Sequence, residues 1–148
     1  MANKAILVQG GDGTAIPAGM VGEKIDWAAG TPTTLANNSG MQRFGGSGQG
    51  CTLTKGVYLV LGAGIGTPST TAMRIQRDLQ VVSGTATIST ANSLDSVLAM
   101  DAAGNDLQAT FSAYVIVTAT AVIALFGNPT SGTVTSSRII SALAIRLA

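Results

Sequence analysis

Residues 107–137 carry no charged side chain, and within them residues 111–126 (FSAYVIVTATAVIALF) are mostly apolar. Such a run can cross a membrane as a helix, or form strands covered on both sides. The apolar part is shorter than the ~20 residues needed to span the hydrocarbon core. Val115, Ile116, Val117, Val122 and Ile123 are β-branched, as are Thr118 and Thr120, which favours strands. No cluster of Lys or Arg flanks the run to fix a membrane orientation. Two strands are therefore expected, at residues 108–118 and 121–126. Along the first, Phe111, Ala113, Val115 and Val117 alternate with Tyr114 and Ile116, so both faces are apolar. A strand in an exposed antiparallel sheet is apolar on one face only. Two apolar faces call for two coverings, an opposing sheet inside and another subunit outside. Tyr114, Val115, Ile116, Val122, Ile123 and Leu125 are the residues expected at that subunit interface.

Composition points the same way. Apolar residues make up 46% of the 148 positions and charged residues only 10%, against roughly 25% in an average soluble domain. A single domain of this size exposes much of its surface and usually keeps it charged. The shortage of charge predicts an assembly component. With 8 Lys and Arg against 7 Asp and Glu, the net charge of +1 offers no basic face for nucleic acid. The absence of histidine removes the commonest general base and metal ligand. One cysteine, Cys51, excludes an intrachain disulfide and multi-cysteine zinc sites. No cofactor and no catalytic role are expected. The start, MANKAILVQGGDG, has too short an apolar run for a secretory signal, so synthesis in a reducing cytoplasm is expected.

Turn residues recur densely and no window sustains a helical repeat. Short strands are expected at residues 5–9, 21–27, 51–54, 57–61, 72–82 and 85–89, with residues 94–100 ambiguous and a final strand at 139–147. Residues 28–34, 62–68, 101–106 and 127–129 read as turns or loops. Residues 40–50 (GMQRFGGSGQG) read as a mobile surface loop. About eight to ten short strands at this spacing predict an all-β, antiparallel jelly-roll sandwich. Residues 1–13 form an N-terminal arm ahead of a domain at 14–148.

Several motifs have a plainer reading beside the chemical one. In YLVLGAGIG, residues 58–66, Gly62 and Gly64 occupy dinucleotide-fingerprint spacing, but Thr67 replaces the third glycine and Pro68 follows. A turn is the better reading. Asp101, Asn105 and Asp106 could offer oxygens to calcium, yet their spacing fits turn capping. Cys51 lacks an adjacent activating group. Trp27 and Phe44 serve equally as recognition aromatics or core anchors.

Residues 13–25 (GTAIPAGMVGEKI) resemble a segment that recurs in tailed-bacteriophage virion proteins. The strand entry Cys51-Thr52-Leu53-Thr54-Lys55-Gly56-Val57-Tyr58 is similar to that family's, with Val57 standing between glycine and aromatic. The chain also ends in an apolar strand with one late arginine, Arg146. The resemblance implies a tumour-necrosis-factor-like jelly roll, usually trimeric, on the outside of a virion. The expected role is a capsid decoration (cement) protein. A homotrimer would bind the major capsid protein on the head surface, through the arm residues Ala5, Ile6, Leu7 and Val8 pairing by strand addition. The alternative is a tail-fibre or receptor-binding module that meets a host receptor through residues 40–50.

Overall fold

The computed structural model describes residues 16–70, 73–89, 94–97 and 107–148. The expected arm, with Ala5, Ile6, Leu7 and Val8, lies outside them, as do Asp101, Asn105 and Asp106. The described residues form strands and turns without a helix. The strands are β1 (Lys24–Asp26), β2 (Thr33–Leu35), β3 (Gln42–Arg43), β4 (Cys51–Leu53), β5 (Gly56–Pro68) and β6 (Arg74–Ser83). They continue as β7 (Ala86–Ile88), β8 (Leu94–Val97), β9 (Leu107–Val117), β10 (Ala121–Pro129) and β11 (Val134–Arg146).

All pairings are antiparallel and make two sheets. One runs β1-β11-β5-β9-β7, with β2 also on β11; the other runs β3-β10-β6-β8, with β4 also on β10. β1 and β2 lie against the two ends of β11 and act as one interrupted strand. β3 and β4 do the same along β10. Counted so, the described residues form eight strands plus the short edge β7. Their orders are first-eighth-third-sixth and second-seventh-fourth-fifth. That is jelly-roll connectivity, in which each successive strand crosses to the other sheet of the sandwich except between the fourth and fifth.

The core lies between the sheets. Tyr58, Val60, Val115, Ile123, Leu125 and Val134 are fully buried there. The fingerprint-like glycines owe their place to this packing. Residues 62–68 continue β5 instead of turning. Gly62, Gly64 and Gly66 follow Tyr58 and Val60 on its inner face, where a missing Cβ makes room for large neighbours. A Cβ on Gly62 would press on the Phe111 ring, and one on Gly64 would lie 3.6 Å from Phe44 Cδ1. The Phe44 ring also sits on Gly127 of the opposite sheet, whose Cβ position is 3.3 Å from Phe44 Cδ2. Phe111 in turn meets Trp27 edge-on, with ring centroids 5.9 Å apart. Glycine inside a strand costs about 0.5–1 kcal/mol, and full burial of one aromatic side chain returns about 1.5–3 kcal/mol. Trp27 and Phe44 are thus core anchors, both buried.

Residues 40–50 are likewise packed. Phe44 and Gln49 are buried, β3 pairs with β10, and Phe44 N–H donates to Leu125 O at 3.0 Å. Gly45 N–H donates to Ser137 O, and Ala28 bridges to Gly50. Gly45 and Gly50 adopt φ of 65° and 141°, so these glycines permit tight turns against the sandwich. The expected turn at 127–129 is still strand; the chain reverses at residues 130–133, with φ of 76° at Gly132.

Candidate interaction surface

Arg146, at the end of β11 opposite Tyr58, closes one end of the β5 sheet. Its Nη1 donates to Tyr58 Oη at 2.7 Å and Thr54 Oγ1 at 3.1 Å, and its Nη2 donates to the Lys55 carbonyl. The guanidinium lies 5.4 Å from the Tyr58 ring centroid. Tyr58 Oη donates onward to Thr54 O at 3.0 Å. Glu23 Oε2 stands 3.9 Å from Arg146 and accepts from Gly19 N–H at 2.7 Å. Each of these groups is engaged in holding β1, β5 and β11 together. The late arginine is therefore a structural clamp.

Among the described residues, no three His, Cys, Asp or Glu side chains gather to hold a metal. Burial, reinforced by the Asp26 carboxylate, pushes the Cys51 thiol up to about 11. That is opposite to the shift that activates a nucleophilic cysteine.

The two outer faces differ sharply. On the β5 sheet, cross-strand register aligns outward side chains in rows. Ile116 pairs with Val57, and Val57 accepts from Leu147 N–H at 2.7 Å. Tyr114, Leu59 and Ile145 make the next row, ending at Lys24; Leu61 and Leu143 make the third, ending at Asp26. Tyr114, Ile116, Leu147 and Leu61 are 45%, 41%, 43% and 38% exposed. Further along, the face is mixed: Ser112, Thr110, Ser141 and Arg138 stand beside half-buried Ile65 and exposed Ile140. The outer face of the β10 sheet carries Arg74, Gln76, Asp78 and Gln80, with Gln80 Nε2 donating to Asp78 at 3.2 Å, and its apolar members include the half-buried Phe126 level with Asp78 and the exposed Val82 at the end of β6.

The six residues expected at one interface are divided among three places. Tyr114 and Ile116 stand on the apolar outer face. Val115, Ile123 and Leu125 are fully buried in the chain's own core, because strand alternation sends them inward. Val122 is half-buried on the opposite outer face, level with Thr52 and Ser83. The second apolar face of β10 also has a covering within the chain, since Ala124 is fully buried beside Gly50. Sequence reading missed Val57, Leu59, Leu61, Leu143, Ile145 and Leu147. The signal was available, because residues 57–61 and 139–147 are apolar at both alternating positions, as residues 111–118 are.

The run that could have been a membrane helix forms β9 and β10. Among the described residues, no helix is long and apolar enough to cross a membrane. Neither a scan against models of known families nor a search of curated proteins found a match to the chain.

Proposed function

We propose that this chain is a structural protein of a tailed-bacteriophage particle. In this reading it is a capsid decoration protein that binds the outer head surface as a homotrimer and stabilises contacts between capsomers. The observation that carries the reading is the inequality of the two outer sheet faces. A face with four large apolar residues more than one-third exposed suits an assembly component, since isolated domains rarely keep so much apolar surface together. The jelly-roll connectivity and the virion-like segment at residues 13–25 support the same reading. The major capsid protein is the proposed partner of the arm at Ala5, Ile6, Leu7 and Val8. Its contacts would be apolar and backbone-mediated, so the protein should stay on heads in about 0.5–1 M NaCl, where exposed ion pairs are screened.

Antibody-gold labelling of intact particles, read by electron microscopy, tests the proposal. Label spread over heads is the expected result. Label confined to tails would overturn decoration in favour of a receptor-binding module.

A further inference from the structure

We infer that Arg77 anchors a binding site for a small oxoanion, of the size of phosphate or sulfate, at the edge of the sandwich beside β8. The site stands apart from the capsid reading and needs no partner chain.

Arg77 lies on the inner face of β6 between the core residues Ile75 and Leu79, and is only 4% exposed. Its neighbour across the strand pair is Gly127 of β10, whose Cβ position is taken up by the Phe44 ring and by Ile75. A guanidinium keeps its charge in a protein, so burial among such residues demands a counter-charge. No described side chain supplies one. Arg77 Nε and Nη1 are enclosed and have no hydrogen-bond partner. Asp78, next in the chain, belongs to the other face of β6 and accepts from Gln80 at 3.2 Å. Glu23 is engaged with Arg146 and Gly19, and Asp26 stands exposed on β1, at the far edge of the other sheet.

The guanidinium fork selects the occupant. Nη2 shares one edge of the fork with Nε and the other with Nη1, so an ion that reaches Nη2 can hold a second oxygen on either orphan. Bidentate pairing of that kind suits phosphate and sulfate. Of the three nitrogens only Nη2 is not enclosed, which makes it the end at which an ion arrives. The pairing of β8 with β6 begins at Leu94, level with Arg77. The guanidinium therefore sits where the edge strand starts, and not beneath the middle of the sheet. Buried Ile75, Leu79 and Phe44 lower the local dielectric, which strengthens each charge-assisted bond to the ion.

Exchanging chloride for phosphate at constant ionic strength, with the full chain, provides the test by isothermal titration calorimetry and thermal unfolding. One saturable site per chain is expected. Above its Kd, each tenfold rise in phosphate should raise Tm by about 3–6 °C. Phosphate also stabilises proteins generally through exclusion from their surfaces, so the reading is the difference from Arg77→Met. That variant should lose the saturable heat and most of the rise in Tm, while still unfolding cooperatively in chloride. Arg77→Lys, a cation without the fork, should bind about tenfold more weakly. Arg74→Gln, on the outer face of the same strand, should leave the Kd unchanged.

No saturable heat with the wild type, or equal rises in Tm for wild type and Arg77→Met, would overturn the inference, because the guanidinium would then be neutralised from within the chain. Binding that survives Arg77→Met and disappears with Arg74→Gln would also overturn it, by moving the ion to the outer face.

Discussion

Replacing Gly62 with alanine tests the central claim about the core, that inner-face glycines of β5 exist to seat aromatic rings. Gly62 lies opposite Phe111 on β9 and Ala142 on β11. A Cβ there would stand 2.6 Å from Ala142 Cβ and 2.7 Å from Phe111 Cε1, well inside the ~3.5–4.0 Å of a normal carbon contact. Ala142 Cβ is fixed to the backbone, and the Phe111 ring is held by Trp27 at 5.9 Å and 68°. Neither can yield freely. Overpacking of this kind costs about 1–3 kcal/mol. The stiffer unfolded chain offsets about 0.4–1 kcal/mol of that. Gly62→Ala should therefore destabilise by about 1–2 kcal/mol, seen as a Tm lower by about 2–8 °C at this chain length. In a Phe111→Leu background the part of the cost due to the ring should vanish, while the contact with Ala142 Cβ remains. Gly48→Ala should be close to neutral, since its nearest neighbour is Gly30 Cα at 3.8 Å. A Gly62→Ala protein as stable as wild type would refute the packing argument. A cost undiminished without Phe111 would assign the clash to Ala142 alone.

Other consequences can be read in urea unfolding. Tyr58→Phe removes the bond to Thr54 O and the acceptor for Arg146, so a loss of about 1–3 kcal/mol is expected. Arg146→Met should be non-additive with it, since the two share one network. Arg77 is buried on the inner face of β6 with Nε and Nη1 unpartnered among the described residues, and burial lowers its pKa. Arg77→Met should be neutral or stabilising by up to about 2 kcal/mol, as apolar replacements of poorly satisfied buried charges often are; a clear loss would refute this. Because the folded protein holds the Cys51 proton more tightly than the unfolded chain, that contribution to stability is complete below the ordinary thiol pKa. It is lost as pH rises through about 11. Urea midpoints should fall between about pH 9 and 11 in wild type and fall less in Cys51→Ala.

The β class was legible because alternation and β-branching are local properties. Residues 74–83, 86–88 and 107–117 fold as strands close to where those signals lie. Glycine misled the reading twice. At residues 62–66 it signals a turn when taken locally, yet Gly62 and Gly64 lie inside β5 and make room for Phe111 on the neighbouring strand and Phe44 of the other sheet; at residues 40–50 it does form turns, but turns packed against the sandwich at Ala29, Gln49 and Ile123. The demand inside β5 comes from residues tens of positions away, which no short window contains.

The doubly apolar strands show where the division falls. By itself the sequence determined that β9 and β10 each have two apolar faces, since a period of two is written in neighbouring residues. Only the tertiary structure decided what covers them. Val115, Ile123 and Leu125 turned into the core, and the loop at Gly50 lay over Ala124. Tyr114 and Ile116 were left outward beside Leu59, Leu61 and Leu147. Alternation says that a strand has two sides. Which side meets the opposing sheet depends on register with strands distant in sequence, and a shift of one residue would exchange every side chain between core and surface.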